Sequence, residues 1–542
     1  MVPPPRKRGG PNKLFRAAST ILAASILATP ALAQQPVGVP VHAAHNPILS
    51  DGAYYSTDPA PIVVDDTLYI LTGRDEAAPG VNDFIMNEWQ VLATKNVASG
   101  DWVHYRHFLR PEQVFKWAEA GRAYAGQIIQ GPDKRFYLYA PVLEANSKNE
   151  DGFAIGVAVS DTVLGPWTDA HPSGPIVSQS VPEANTIQNI DPTPFVDDDG
   201  RVYLYWGTFG QLRAIALNPD MVSPKGAEIT GFEIKVGGLT GFFEAPWLFK
   251  RKGTYYLAYA GNNAGPDSPC TQAVYHACIA YGTASSPLGP WTYRGVILPP
   301  VSSTTSHSGI IEFKGKWYIA YHTADAKGGG HFRRSVAIDE IHWDDTKTPA
   351  TLLPVTPTPV PPSIIGPQRN IAPAARSTAS NWPVPVQYAI AALNDRLVRD
   401  NPLPPDMWGS WTPRNPPRQW VQYQWPKPVT LNGARIRFWN DRPAGSGEGV
   451  APPKAWHLEA WTGSTWRPVK ATSAYGTSAK AFNAVTFKPV TTRCLRAVFD
   501  ASTDSKTYAA VAVQEWEALA PKPVKIALAT EHRPASPDCA AE

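Results

Sequence analysis

The chain has 542 residues and a formal net charge of +3, so it is long enough for more than one domain and close to neutral. Its 56 prolines are about twice the usual share, which disfavours long helices and suits short strands joined by turns. A near-neutral chain gives no electrostatic argument for a nucleic acid or an acidic membrane as partner.

The first 33 residues have the pattern of an export signal. Five basic residues between Arg6 and Arg16 precede a short apolar run from Ala17 to Leu27, and Ala31-Leu32-Ala33 forms a small-x-small cleavage site. The apolar run is too short to span a bilayer, and no later run is long enough. Cleavage removes five cations and no acid, so the formal charge changes from +3 to −2. We therefore expect a secreted protein, periplasmic or extracellular.

A unit made of an apolar strand, a polar turn and an aromatic strand recurs five times. The aromatic strands contain Tyr69, Tyr137, Tyr203, Tyr256 and Tyr318, which are 68, 66, 53 and 62 residues apart. Each half is rich in β-branched and aromatic residues, so each copy is predicted to be a hairpin. A regular all-β period with room for about four strands predicts a β-propeller, here with five blades. The alternative is a run of unrelated hairpins in a β-sandwich.

In four copies a polar residue stands 11 or 12 positions before the tyrosine. These residues are Asp58, Asp191, Glu244 and His307. The first strand of a propeller blade is usually the innermost, so we expect three carboxylates and one imidazole to converge around the central channel. Any one Asp-Pro dipeptide is more often structural, and His307 alone could be a core histidine. The agreement of four residues favours a site, with His307 as a substrate contact or as a ligand of a hard cation through water.

Paired carboxyl groups are the tools of glycoside hydrolysis, because an ionised one activates water and a protonated one donates to the leaving oxygen. Asp58 follows the hydroxyls of Ser56 and Thr57 and is the candidate base. Glu244 lies in an apolar sequence context and is the candidate acid, and Asp191 would raise its pKa. For an inverting enzyme we expect the carboxyls of Asp58 and Glu244 to be about 6.5–9.5 Å apart, and for a retaining one about 5 Å.

The order Asp58-Pro, Asp191-Pro and Glu244-Ala-Pro, with Ser-His307-Ser downstream, resembles glycoside hydrolase family 43 over roughly residues 46–345. The resemblance implies a five-bladed propeller and an inverting enzyme that acts on chain ends or side chains. It implies α-L-arabinofuranosides or β-D-xylosides of plant-type polysaccharides as substrates, and it assigns the same three roles to the three carboxyl groups.

The resemblance also implies further site residues. His307 would help to hold a calcium ion, and Arg333 or Arg334 would lie near the sugar. One departure is Tyr124-Ala-Gly-Gln127, where the family usually has Trp-Ala-Pro and an acid. The remaining candidates for the substrate-binding walls, each of which could equally be structural, are Arg74, Asp75, Tyr124, Gln127 and Trp247.

A proline-rich linker at 346–365 separates the predicted propeller from a second β-rich module at 366–520, and the chain ends in a tail at 521–542. The module is predicted to be a jelly-roll β-sandwich. It resembles the discoidin-like, coagulation factor 5/8 type C fold through Trp408-Gly-Ser-Trp411, the run from Gln419 to Trp425, and Gln514-Glu-Trp516, together with Asn370-Ile-Ala and the stretch from Arg435 to Arg442. This resemblance implies carbohydrate binding, although a module that only packs against the propeller is an alternative.

The four cysteines of an exported chain can form disulfides. Cys270 and Cys278 lie in one loop and are predicted to pair. Cys494 and Cys539 could pair and fix the tail.

Three other functions remain open on the sequence. One is an exo-β-galactosidase on the same fold. A second is a retaining fructan-cleaving relative, although such proteins usually show Arg-Asp-Pro and Glu-Cys where this chain has Ile-Asp191-Pro and Glu244-Ala. The third is a propeller that binds carbohydrate without cleaving it. No organic cofactor is expected, and we expect a monomer.

Overall fold

The computed structural model describes residues 36–145, 147, 152–181, 188–225, 238–262, 268, 270, 276–359, 364–529, 532 and 539. The predicted export signal at 1–33 lies outside the described residues. From Pro36 onward the chain forms one compact unit. In the described ranges, no helix has both the length and the apolar character needed to cross a membrane.

The predicted five-bladed, all-β propeller is confirmed. Blade 1 contains β1 (Gly38–His42), β2 (Thr57–Val64), β3 (Thr67–Gly73), β4 (Trp89–Thr94) and β5 (Asp101–Leu109), in the spatial order β1-β5-β4-β3-β2. Blade 2 contains β6 (Gln127–Gln130), β7 (Phe136–Leu143), β8 (Phe153–Ser160) and β9 (Thr168–Asp169). The described part of blade 3 contains β10 (Thr193–Val196), β11 (Val202–Trp206) and β12 (Arg213–Leu217).

The last two blades follow the same plan. Blade 4 contains β13 (Phe242–Arg251), β14 (Thr254–Gly261), β15 (Cys278–Ala284) and β16 (Thr292–Leu298). Blade 5 contains β17 (Ser308–Phe313), β18 (Lys316–Thr323) and β19 (Ser335–Ile341), and a two-stranded sheet of β20 (Trp343–Asp344) and β21 (Thr351–Leu352) follows. The one described α-helix, α1 (Pro111–Val114), and the 3-10 turn Val97–Ser99 belong to the connections.

The first strands of the blades form a closed ring. β2 contacts β6, β6 contacts β10, β10 contacts β13, β13 contacts β17, and β17 returns to β2. Each blade begins with an antiparallel hairpin, and the five repeat tyrosines pair across these hairpins with Ile62, Ile129, Phe195, Phe249 and Ile311. The repeated apolar and aromatic positions therefore pack the blades against one another, and the starts of the first strands lie around one axis.

The C-terminal region is a second β-rich unit with its own apolar core. Its strands are β22 (Ile364–Asn370), β23 (Arg376–Ala379), β24 (Trp408–Gly409), β25 (Arg418–Trp439), β26 (Ala455–Trp461), β27 (Trp466–Pro468), β28 (Asn483–Asp500) and β29 (Ala512–Ala527). They form one eight-stranded sheet, and the long strand β25 is interrupted by bulges. Short 3-10 turns connect them at Ala372–Ala374, Ile390–Leu393 and Pro404–Asp406. Trp408, Tyr423 and Trp516 fill the core, so the arrangement is consistent with the predicted sandwich.

The structure moves two predicted boundaries. β1 starts at Gly38, before the expected start of the propeller at residue 46, because this segment adds a fifth strand to the outer edge of blade 1. β29 continues to Ala527, so the expected tail from residue 521 begins inside a strand.

The predicted disulfide is confirmed, and the second pairing, which the sequence left open, is also formed. Cys270 is joined to Cys278, and Cys494 is joined to Cys539.

Candidate active site

In blades 1, 3 and 4 the inner strand begins with an unusual backbone conformation. Asp58, Asp191 and Ala245 have φ angles of 51°, 58° and 56°, a left-handed region that residues other than glycine seldom adopt. Each of the three is followed by a proline. In blades 1 and 4 the pairing with the second strand also shifts register here, as in a β-bulge. Bulges of this kind redirect side chains and are common beside active sites.

The pairing corrects one part of the spacing argument. Asp58, Asp191 and His307 each lie four residues before the partner of the blade's tyrosine, but in blade 4 that position is Ala245 and not Glu244. The hairpin of blade 3 is one residue longer than those of blades 1, 4 and 5, so a count from the tyrosine misplaces Glu244 by one. The candidate acid therefore does not share the register of the candidate base.

Asp58 is buried among cationic and polar groups. Its Oδ1 accepts hydrogen bonds from Thr57 Oγ1 at 3.0 Å and from Arg334 Nη1 at 3.2 Å. Burial alone would raise the pKa of this carboxyl, but the charge of Arg334, helped by His322 and His307, outweighs it and holds the pKa well below its usual range. Asp58 is therefore ionised at neutral pH.

Arg334 is fixed by a second carboxylate. Asp75 accepts from its Nε at 2.8 Å and from its Nη2 at 2.9 Å, and it also accepts from the Arg334 backbone N–H at 2.8 Å. The two-pronged pairing gives the guanidinium a defined orientation. The structure thus distinguishes the two arginines that the sequence left open. Arg333 instead donates to the backbone carbonyls of Gly328 and Ala78.

Glu244 and Asp191 form the opposite electrostatic environment. Burial raises the pKa of Glu244 to about 7, and the negative charge of Asp58 adds to this effect, whereas a hydrogen bond of 2.8 Å from Thr208 Oγ1 opposes it. Burial and the charges of Glu244 and Asp58 also raise the pKa of Asp191, which accepts from the Ala245 N–H at 3.0 Å. Two buried carboxyls that repel each other retain a proton at neutral pH. Glu244 is the more exposed of the two, so it can transfer that proton to a bound molecule.

Two histidines complete the surroundings of Asp58. His307 Nδ1 lies 3.8 Å from Asp58 Oδ1, and burial lowers the pKa of His307 to about 4, so the ring is neutral at pH 7. His322 Nδ1 is 3.3 Å from the Asp58 backbone nitrogen. Because a backbone N–H only donates, this Nδ1 accepts, and the hydrogen on Nε2 points to the Thr305 carbonyl at 3.1 Å.

The sequence analysis did not single out His322 or Thr208. Thr208 follows β11, and His322 lies near the end of β18. The end of each of these second strands lies beside the start of the first strand because the strands are antiparallel. The pairing of Ser308 with Tyr321 puts His322 next to His307 in this way.

The other residues predicted to form the substrate-binding walls lie in different surroundings. Arg74 donates to Glu88 at 2.7 Å, within a buried ion-pair network of blade 1. Tyr124 packs against Phe153 with ring centroids 4.6 Å apart, and its hydroxyl contacts the Arg122 guanidinium. Gln127 is buried at the start of β6.

Trp247 does not lie in a substrate-binding wall, where it was one of the candidates. It is only 5% exposed, and its indole N–H donates to the Ile310 carbonyl between blades 4 and 5. It packs the propeller core and does not line the site.

Calcium prefers six to eight oxygen ligands. An imidazole such as that of His307 is a poor match, and within the described residues no group of three His, Cys, Asp or Glu side chains could hold a metal ion. The described residues near His307 therefore do not supply a set of direct ligands for calcium. The calcium site stays a prediction.

A five-bladed propeller that holds one carboxyl ionised and a second protonated defines a class of hydrolases that act on glycosidic bonds. The family model "Glycosyl hydrolases family 43" matches residues 44–349, which include all three carboxyl groups. The chain belongs to glycoside hydrolase family 43.

Three relatives show the range of similar proteins. A xylosidase/arabinosidase from Bacteroides ovatus is 31% identical over 54% of this chain and 92% of its own length. A beta-xylosidase from Xylanibacter ruminicola is 29% identical over 54% of this chain and 94% of its own. An arabinoxylan arabinofuranohydrolase from Bacillus subtilis is 31% identical over 55% of this chain and 61% of its own.

Proposed function

We propose that this glycoside hydrolase is an exported, inverting enzyme that releases α-L-arabinofuranosyl or β-D-xylosyl units from plant-type polysaccharides or oligosaccharides. The observation that carries the proposal is the contrast between two carboxyls, because Arg334 donates to Asp58, whereas Glu244 is held by Thr208 beside the buried Asp191. Arg334 keeps Asp58 ionised, and burial keeps a proton on Glu244 and its neighbour Asp191.

In this mechanism Asp58 removes a proton from water as the water attacks the anomeric carbon. Glu244 gives its proton to the departing glycosidic oxygen. Asp191 and Glu244 would repel each other if both were ionised, so the buried pair keeps a proton that Glu244 can donate when substrate is bound. Arg334, His307 and His322 surround Asp58 and orient its carboxylate. Both proton transfers are of the kind that contributes about 10²–10⁴-fold each to the rate.

The choice of sugar is supported by the names of the relatives, which are a xylosidase/arabinosidase, a beta-xylosidase and an arabinoxylan arabinofuranohydrolase. The test is hydrolysis of aryl α-L-arabinofuranoside, β-D-xyloside and β-D-galactoside by the purified protein. We expect release from the first or second. Release from the galactoside alone would favour an exo-β-galactosidase.

The stereochemical outcome tests the mechanism separately. Proton NMR of the first sugar released should show the anomer opposite to that of the substrate. Retention would show that water does not attack directly and would contradict the role of Asp58 as a base.

Export and sugar binding by the C-terminal region are also proposals. The N-terminal signal and two disulfides support export, and a mature N-terminus at Gln34 would be the expected result of sequencing the secreted protein.

In the sandwich, most of the tryptophans named for the discoidin resemblance are core residues, but Trp411 is 43% exposed. Trp411→Ala should weaken retention on insoluble arabinoxylan while leaving hydrolysis of a small aryl glycoside unchanged. Equal retention of both proteins would reject the role of Trp411.

A further inference from the structure

The C-terminal region contacts the propeller through a buried histidine. His331 Nε2 lies 2.5 Å from Oδ2 of Asp406, which belongs to the 3-10 turn Pro404–Asp406. On the other side of the ring, Nδ1 is 3.1 Å from the Thr304 backbone nitrogen. Since that N–H only donates, Nδ1 accepts, and the hydrogen on Nε2 points to the Asp406 carboxylate.

Asp406 is itself held in place. Its carboxylate accepts from Arg399 Nε at 3.0 Å and from the Leu403 N–H at 2.9 Å. Arg399 also reaches the propeller directly, because its Nη2 donates to the Ser302 carbonyl at 3.0 Å. One loop of the C-terminal region therefore forms hydrogen bonds with two propeller segments. One segment lies around residues 302–304, and the other contains His331.

Both segments lead to the partners of the candidate base. Thr305 follows Thr304, and it accepts from Arg334 Nη1 at its hydroxyl and from His322 Nε2 at its carbonyl. Arg334 comes three residues after His331 and donates to Asp58. A displacement of either segment would move the guanidinium that sets the orientation of Asp58.

We propose that Asp406 is a positioning residue of the active site, which acts through His331 and Thr304 to hold Arg334 against Asp58. The C-terminal region is then part of the support of the catalytic base. This inference rests on the proposed function, in which Asp58 is the base.

The test uses full-length protein with Asp406→Ala and Asp406→Asn. The matched control is Asp500→Ala, which removes a carboxylate of the same region that pairs with Arg418 at 3.0 Å on the surface. On an arabino-oligosaccharide we expect kcat of Asp406→Ala to fall about 10- to 100-fold with little change in KM, because a small misplacement of a catalytic group has effects of that size. The control should stay within about twofold, as expected when an exposed ion pair is lost.

The pH profile separates positioning from a loss of folded protein. Asp58 faces Arg334, His307 and His322, and the charges of Asp191 and Glu244 also act at this site. With Arg334 displaced, the acid limb of kcat/KM should move to higher pH in Asp406→Ala and less so in Asp406→Asn. A smaller folded fraction would lower the rate at every pH without moving the limb.

Asp58→Asn is measured alongside. If its activity survives, the proposed function fails and this inference fails with it. If Asp58→Asn is inactive but both Asp406 variants keep the kcat and the acid limb of the control, only the positioning role is overturned. If Asp406→Ala does not fold, the limb of Asp406→Asn decides in the same way.

Discussion

At the scale of single residues, the neighbours of each carboxyl group decide its chemistry. Asp58 and Glu244 are both surrounded by protein, but Asp58 accepts a hydrogen bond from a guanidinium and Glu244 accepts one from the Thr208 hydroxyl. The first environment favours the charged form, and the second leaves the effect of burial dominant. One site can thus contain a base and an acid at the same pH.

This difference predicts the pH dependence of activity. Glu244 must be protonated to act, and its pKa is raised to about 7, so kcat/KM should fall as the pH rises through about 7. Asp58 must be ionised, and its pKa is depressed, so the acid limb should lie below the ordinary aspartate value of 3.8.

Thr208→Val removes the hydrogen bond that favours ionised Glu244, so it should move the alkaline limb to higher pH. Thr292→Val, on an outer strand, is the control, and a limb that moves equally in both variants would refute the assignment.

Part of this site was predictable from the sequence. Repetition identified Asp58, Asp191 and His307, because equivalent positions in a propeller repeat with the blades, and it pointed to Glu244 through the residue next to the equivalent Ala245. It could not identify Thr208 or His322, which occupy strand ends without a repeated residue type. Nor could it place Trp247 in the core, since an indole beside a carboxylate in sequence can face either way.

At the scale of secondary structure, the starts of the inner strands of blades 1, 3 and 4 are shaped by a left-handed residue before a proline. In blade 4 that residue is Ala245, whose N–H binds Asp191 and which directly follows Glu244. An alanine in this conformation is strained by about 1–2 kcal/mol. This strained residue lies in the segment that positions the two acids.

Ala245 therefore offers a matched pair of variants. Ala245→Gly removes the strain but adds about 0.5–1 kcal/mol of chain entropy, so its stability should be within about 1 kcal/mol of the parent. Ala245→Val puts a β-branched residue into the same conformation at a buried site and should lose about 2 kcal/mol or more. Urea unfolding measures both. A valine variant as stable as the glycine variant would show that the backbone there is not constrained.

The one-residue offset of Glu244 belongs to this scale as well. Counting from the tyrosine assumes hairpins of equal length, and blade 3 has one more residue between its paired positions than blade 4. Strand composition predicts that a hairpin exists, but the length of its turn and the bulge before it depend on tertiary packing. This is why the five blades were predictable and the register was not.

At the scale of the whole molecule, the ring of inner strands brings together residues that are far apart in sequence. Arg334 donates to Asp58 at the junction between blades 5 and 1, where the ring of inner strands closes. The C-terminal sheet is attached to the same closure through Asp406 and Arg399. The architecture of both regions followed from hydrophobic patterning, but the contacts between them did not, because a polar contact across a long linker leaves no periodic signal.

The two disulfides should contribute unequally to stability. The loop closed by Cys494 and Cys539 spans 45 residues and that of Cys270 and Cys278 spans 8. Chain-entropy estimates give about 4 kcal/mol for the longer loop and about 2.5 kcal/mol for the shorter. Replacing Cys494 and Cys539 by serine should therefore lower the unfolding free energy of the C-terminal region more than the equivalent change at Cys270 and Cys278 lowers that of the propeller. Equal losses in denaturant unfolding would contradict this ranking.

The division of work between Asp58 and Glu244 is tested most directly by the leaving group. Asp58→Asn and Glu244→Gln are compared with the parent on an arabino-oligosaccharide and on an aryl arabinofuranoside whose phenol departs without a proton. If β-xylosides prove to be the substrates, the matching xylosyl pair is used. We expect Asp58→Asn to lose about 10²–10⁴-fold on both substrates, and Glu244→Gln to lose that much on the natural one but far less on the aryl one. Equal losses of Glu244→Gln on both substrates, or an active Asp58→Asn, would contradict the assignment of acid and base.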